Sequence, residues 1–414
     1  MSTESVDVAI VGGGIIGMSI AYQIARRSNL SVAVFEKGVG LGEGSTGGSS
    51  AITRQRYTTI ENVRIARDGN VIWRNWSEYV GNDHPNGSFH DIGVLWMVDD
   101  NPDVVAYDQQ RMSAEGIDVV DIGADDVVDL FPAISTCMVP FDLTGEVEHV
   151  CSPGDRFLLE RDTGFFDATG ALLDVSIAAS KRGVDVRLNT AVVDVTTDGN
   201  RATGVVLGDG STISAGLVVN AAGPWCNQIN AMVGLEIPWD LVPTRIQVIY
   251  RALPEEVARP IPVICDSAGG IYFRPEAGGG QIILGSILEE DEMEAVDDPD
   301  DYAKVANRSF IDLKIHALHH RIPSLPYKGI PGGMASLYTV NRQDVLPIIG
   351  PTSIDGFAVV NGFSGHGFKE SQVVASMMAQ WITGERASFD TDIPMDFFSI
   401  DRTPVEIAEH NVLA

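Results

Sequence analysis

Apolar positions along this chain follow two rhythms. At the start they run unbroken: Val6 to Val11 reads as a strand buried on both faces, and Ser31 to Phe35 as a second. Met18 to Arg27, between them, is predicted helical. In the middle, short runs alternate with glycine-rich turns. Asp91 to Val98, Arg245 to Tyr250, Pro262 to Cys265, Gly270 to Arg274 and Gln281 to Leu284 read as strands, the last four in an antiparallel pattern. Val184 to Val195, Ala202 to Leu207 and Ile213 to Val219 return to short strands, the last running into the small-residue turn Asn220 to Trp225. Helices are predicted at Glu61 to Val80, with Trp73 and Trp76 in the core, at Pro102 to Gly116, at Gly123 to Leu130, within Gly164 to Gly183, and across Ile311 to Arg321. A strand from Asp355 to Val360 leads into a glycine-dense turn and a last helix ending at Thr383.

The first rhythm carries chemistry. Strand, glycine turn, helix, strand and acid follow one another over Val6 to Lys37. Gly12 allows a tight turn, Gly14 lets a pyrophosphate approach the main chain, and Gly17 lets helix and strand pack closely. Ile15 and Ile16 open the helix, whose free N–H groups and positive dipole end suit phosphate. Glu36 lies about 20 residues beyond the turn, where an acid accepts from the adenosine ribose. Ser45, Thr46, Ser49 and Ser50 lie in the flexible run 44–50, placed to wrap a second phosphate and lead the chain towards an isoalloxazine ring. That favours FAD over NAD; the plain alternative is a solvated Gly/Ser loop. Gly365, Gly367 and Phe368 belong to the last glycine turn, whose helix start points at the flavin pyrimidine edge. Val193 is a strand residue whose backbone suits an adenine.

Charge narrows the partners. The chain of 414 residues has 57 acidic and 28 basic side chains, a net charge of −29, and six lysines. Nucleic-acid binding needs basic patches and is not expected. An acidic, lysine-poor surface fits a salt-loving organism, where ionic strength screens self-repulsion. No run of 18 apolar residues exists, so no membrane-spanning helix is expected, and no signal-peptide pattern opens the chain. Cys137, Cys151, Cys226 and Cys265 show no metal-type spacing and read as free thiols in the cytoplasm. His84, His90 and His149 are scattered. His316 and His320 are four apart, but without the HExxH glutamate the helix face reads as solvated, and no metal site is expected.

The stretches GGGIIG (12–17), EKG (36–38), GSTGGSS (44–50), NAAGPW (220–225), IYFRPE (271–276) and NGFSGHGFK (361–369) together resemble the D-amino acid oxidase superfamily of flavoproteins, most closely its sarcosine-oxidase-like branch. The resemblance extends over essentially the whole chain. It implies an α/β fold, α+β overall: a Rossmann-type FAD-binding domain (1–86, 152–231 and 330–414) interrupted by an antiparallel-sheet substrate domain (87–151 and 232–329). It adds Lys37, Ala222, Gly223 and Trp225 to the cofactor contacts. It implies that Arg54 binds a substrate carboxylate with help from Lys369, that Tyr272 lines the substrate cavity, and that His366 lies near the flavin. The implied reaction is oxidation of a C–N bond in an amino or N-methyl amino acid, with a quinone, an electron-transfer protein or oxygen as acceptor. A 2-hydroxy acid dehydrogenase and a non-catalytic FAD-binding assembly factor or subunit are the alternatives. Two departures stand out. Ser336 replaces the cysteine of covalent members, so FAD is expected to be non-covalent. Ile283 stands where oxidases carry a lysine over the flavin, and no lysine occurs between Lys181 and Lys304, which favours a dehydrogenase.

Two outcomes follow. Acid or heat denaturation should release the flavin without proteolysis; flavin fluorescence migrating with the denatured polypeptide would show another attachment. The melting temperature should climb from low to molar KCl as self-repulsion is screened, and a flat or falling curve counts against the salt-adapted reading.

Overall fold

The computed structural model describes residues 4–99, 101–140, 147–407 and 412–413. Among them are two eight-stranded sheets and a two-stranded ribbon. In the first sheet the order is Ile348–Pro351, Phe357–Asn361, Thr212–Asn220, Glu4–Val11, Val32–Phe35, Asp185–Arg187. From Phe357–Asn361 onward the neighbours are parallel, and Ile348–Pro351 joins the edge antiparallel. Alternate residues serve the two faces. Val8, Ile10, Val34, Val219 and Val360 pack under the helices Ile15–Arg27, Ala168–Ser180 and Gly367–Thr383. Ala9, Val11, Phe35, Val218 and Val359 pack against the Val192–Asp198/Arg201–Leu207 hairpin and the Cys226–Met232 helix.

The second sheet runs Gly332–Asn341, Leu241–Ala252, Gln281–Ser286, Ile271–Pro275, Val263–Asp266, Val94–Met97, Arg156–Glu160, Val119–Gly123. It is antiparallel except where Val263–Asp266 meets Val94–Met97. Its register decides what faces the first sheet. The cross-strand partners Trp96, Cys265, Tyr272 and Gly285 share one face, as do Arg274, Ile283 and Tyr250. Leu95, Ile264, Phe273, Leu284 and Ile249 point the other way, into a core covered by the helix Arg308–Arg321.

Several expectations change. The helix expected across Glu61 to Val80 breaks at Asn75 into Ile60–Arg74 and Trp76–Val80. Asn75 leaves helical geometry and bonds its side chain back to Val71 O. Trp73 and Trp76 are core, as expected. Val184 to Val195 is two strands, Asp185–Arg187 and Val192–Asp198, because Asn189 turns the chain with φ +52°. Arg156–Glu160 and Gly332–Asn341, assigned above to the nucleotide part, hydrogen-bond into the second sheet. The acidic stretch Asp291 to Asp301 begins on the short 3-10 turn Glu289–Glu292, which buries Glu292. On the histidine face expected to be solvated, His316 is exposed and His320 is half-buried, 3.0 Å from His149, while His319 is buried and stacks on Tyr327 at 4.1 Å. Among the described residues no helix is long and apolar enough to cross a membrane.

Candidate active site

An elongated cavity of about 340 Å³ opens at the carboxyl ends of the parallel strands. Gly12, with φ +115°, turns beneath it; a Cβ there would lie 2.5 Å from Ala221 O. Gly14, Ile15, Ile16, Glu36, Lys37, Ser45, Thr46, Ser49, Ala222, Gly223, Trp225, Gly365, Gly367 and Phe368 line it. The Glu36 carboxylate accepts from Gly13 N–H at 2.8 Å and from Gly38 N–H at 2.7 Å, which aims its remaining lone pairs outward. Thr46 Oγ1 accepts from Ile15 N–H at 3.1 Å, tying the 44–50 loop to the helix start. Lys37 Nζ stands 4.0 Å from the Trp225 ring centroid and pairs with Asp300. The indole Nε1 of Trp225 is buried without a protein partner.

Two expected contacts, Val193 and Ser50, lie outside the cavity lining. Val193 is 51% exposed, and its neighbour Val192 lines the cavity instead, because side chains alternate along this strand. Gly17 stands outside the lining and packs as expected, since a Cβ would come within 2.1 Å of Gly12 O. Ser50 also lies outside the lining, where its carbonyl accepts from Arg274 Nε at 2.7 Å and its hydroxyl bonds the Tyr272 phenol.

Arg54, Lys369, His366 and Tyr272 gather in a second, drier space against the second sheet, and all four are buried. Val412, from near the end of the chain, occupies it. Arg54 donates to Val412 O, and His366 Nε2 lies 3.1 Å from the same oxygen. Val412 N–H donates to the Glu292 carboxylate. The Arg54 guanidinium also stacks 4.0 Å from the Tyr57 ring centroid, and Lys369 Nζ lies 5.7 Å from it.

A family model described as FAD dependent oxidoreductase (DAO) matches residues 7–381. The chain belongs to this family. FAD-dependent oxidoreductase domain-containing protein 1 of Xenopus laevis is 26% identical over 92% of this chain and 79% of that protein. Dimethylglycine dehydrogenase of Rattus norvegicus is 25% identical over 94% of this chain, which spans 44% of the rat protein's length. The solved structure of L-proline dehydrogenase from P. horikoshii superposes with a TM-score of 0.78 at 23% identity, over 96% of this chain and 97% of the other. Glycine oxidase from Geobacillus kaustophilus gives 0.76 at 19% identity, over 97% and 100%.

The cavity of this DAO-family chain fits FAD on its own terms. A backbone bare of side chains, a helix start, an outward carboxylate and an unpartnered indole N–H are the donors and acceptors a dinucleotide needs. The drier space is electrostatically unusual. Burial holds His366 well below its ordinary value, reinforced by Lys369 and Arg54, so the ring is neutral. Burial likewise lowers Lys369, with Arg54 adding to it and Glu370 opposing. Desolvation pushes Glu160 up to about 7, Glu370 to about 7 and Glu292 to about 8. The 4.0 Å approach of His366 Nδ1 to Glu370 is therefore no ion pair, because the imidazole is uncharged.

Glu160, Glu292, Glu370 and Arg274 escaped the sequence reading. Glu160 accepts from Gln55 N–H, Arg56 N–H and Trp96 Nε1–H, and so holds the loop that presents Arg54. An acid closing the apolar run Phe157–Leu159 was its one signal. Glu292 was hidden in an acidic stretch, and Glu370 beside Lys369 in a quoted motif. Arg274 lies across the strand pair from Ile283 on the same face, so that face does carry a cation. Its guanidinium bonds Ser50 O and Pro275 O and covers the Phe165 ring at 3.9 Å.

Proposed function

We propose that this DAO-family chain oxidises the C–N bond of an α-amino acid or an N-methyl or other secondary amino acid. The carrying observation is the handling of Val412. Its carbonyl is held by Arg54 and His366 and its N–H by Glu292, and a free amino acid has the same N–Cα–C=O frame. In this reading a substrate displaces the segment. Arg54 takes the carboxylate by charge-assisted hydrogen bonds, and the Lys369 amine is recharged beside the incoming anion. Ionised Glu292 accepts a proton from the substrate ammonium, leaving a neutral amine whose nitrogen lone pair drives hydride departure from carbon. Bound FAD would supply the hydride acceptor. The imine released is hydrolysed by water. Tyr272, buried, and Tyr338, half-buried at the edge of the flavin cavity, flank Glu292.

Gly12, Gly14, Glu36, Thr46 and Trp225 would hold the cofactor, non-covalently given Ser336. The names of the relatives support nitrogen-bearing substrates: dimethylglycine dehydrogenase and sarcosine oxidase subunit beta act on N-methyl amino acids by name. We favour a dehydrogenase working in the cytoplasm with a quinone or electron-transfer protein. Ile283 is apolar and buried, and Arg274 is already bonded to two carbonyls. The test is anaerobic mixing of flavin-loaded protein with amino, N-methyl amino and 2-hydroxy acids, followed by reoxidation with air or dye. Bleaching by hydroxy acids alone, or by nothing, overturns the proposal, and reoxidation by oxygen as fast as by dye overturns the dehydrogenase assignment.

Arg54→Ala should lower kcat/KM by roughly 30- to 1000-fold, about 2–4 kcal/mol, at unchanged FAD content; wild-type kinetics would place the carboxylate elsewhere. Glu292 is protonated below about 8, so kcat/KM should rise with pH through that value. Glu292→Gln should remove this limb and cost roughly 10²- to 10⁴-fold. A persisting limb would assign the proton to another group. Deleting residues 408–414 should lower KM by freeing Arg54; an unchanged or higher KM would show that the segment does not compete with substrate.

A further inference from the structure

Outside the lining of the flavin cavity, the fold gathers side chains that the sequence scattered. Cys137 Sγ lies 3.5 Å from His149 Nε2, and His149 Nε2 lies 3.0 Å from His320 Nε2. All three ligand atoms fall within 4.8 Å of one another. A tetrahedral zinc with bonds of about 2.3 Å to sulfur and about 2.0–2.1 Å to nitrogen sets S···N near ~3.6 Å and N···N near ~3.3 Å. Both measured separations are close to these. Cys151, exposed and outside this group of three, is the candidate for a fourth position because the backbone brings it alongside Cys137.

The supporting frame is rigid. Arg321 forms a fully buried bidentate ion pair with Asp266, at 2.9 and 2.6 Å. It also exchanges hydrogen bonds with Ser135: its guanidinium donates to Ser135 O, and Ser135 N–H donates to Arg321 O at 2.9 Å. The residues next along, Cys137 and His320, are thereby held in register. Met138 N–H donates to Ser152 O and Gly154 N–H to Thr136 O, both at 3.0 Å, which brings Cys151 alongside Cys137. Asp266 neutralises Arg321, so no net positive charge opposes a cation here.

We propose that Cys137, His149, Cys151 and His320 form a structural site for a soft or borderline divalent cation, zinc above all, clipping the loop that carries His149 to the end of the Arg308–Arg321 helix. The ligands are of Cys2His2 type, a closed tetrahedral set with no open position for catalysis. Binding replaces the two thiol protons, so two protons leave per ion and affinity rises with pH.

The test uses full-length, flavin-loaded protein, reduced, stripped with chelator and titrated anaerobically with cobalt(II), then zinc. One equivalent of cobalt should produce the ligand-field and thiolate charge-transfer bands of a tetrahedral site. Zinc should erase them and raise the melting temperature. Cys137→Ser and His320→Ala should weaken binding by roughly 100-fold or more, and Cys151→Ser by about tenfold or more. His149 is exposed, so His149→Ala should weaken binding as strongly while leaving FAD content unchanged; this variant keeps the test sound if the buried ones misfold. The proposal is overturned by absence of the bands in reduced protein, by bands unaffected in His149→Ala, or by a Cys137–Cys151 disulfide in freshly isolated protein.

Discussion

No side chain fits where Gly17 faces Gly12. A Cβ on Gly17 would lie 2.1 Å from Gly12 O, and one on Gly12 would lie 2.5 Å from Ala221 O. Three stretches of main chain, from two separate parts of the sequence, meet there with nothing between them. The contact seats the helix Ile15–Arg27 at the strand ends with its free N–H groups facing the cavity. It fixes where Thr46 caps that helix, and hence where the loop to Ser50 runs. Ser50 in turn receives Arg274 from the second sheet. The two sheets are thus registered to each other through a chain of polar contacts that begins at a glycine-only packing point.

The seam between the sheets concentrates buried charge. Arg54, Lys369, Glu160, Glu292 and Glu370 are all withdrawn from water. In such surroundings an unpaired charge is costly, so groups shift their proton affinity rather than remain exposed to the low dielectric. Glu160 shows the balance: desolvation raises it although three N–H donors favour the anion. The Val412 peptide fits here because it offers both a carbonyl to Arg54 and the neutral His366 ring and an N–H to Glu292 without adding charge. An amino acid offers the same two functions with charge, and charge interacts more strongly in these low-dielectric surroundings.

The parts of the site that the sequence revealed were those held by local backbone chemistry. The glycine turn, Glu36 and the last helix start each follow from spacing within a strand–turn–helix unit. The parts it concealed depend on register and long-range pairing. Val193 and Val192 differ by one step of strand alternation, and only the start of that strand decides which one meets the cavity. The Glu61 to Val80 periodicity is sound, yet Asn75 interrupts it by bonding its own backbone. Cys137 and His320 lie far apart in sequence, and no spacing rule joins them. The Ser135–Arg321 hydrogen bonds do.

By itself the sequence determined the nucleotide turn, the α/β character, the acidic surface and the absence of a long apolar span, because each is a property of neighbouring residues or of composition. It also placed Arg54, Lys369, His366 and Tyr272 in one site through resemblance. Tertiary structure alone decided which acids are buried beside them, that Arg274 shares the face of Ile283, and that Cys137, His149 and His320 converge. Burial and cross-strand register are set by contacts between distant segments. A carboxylate in a solvated loop and one sealed beneath a sheet have the same letter in the sequence and differ only in what the fold packs around them.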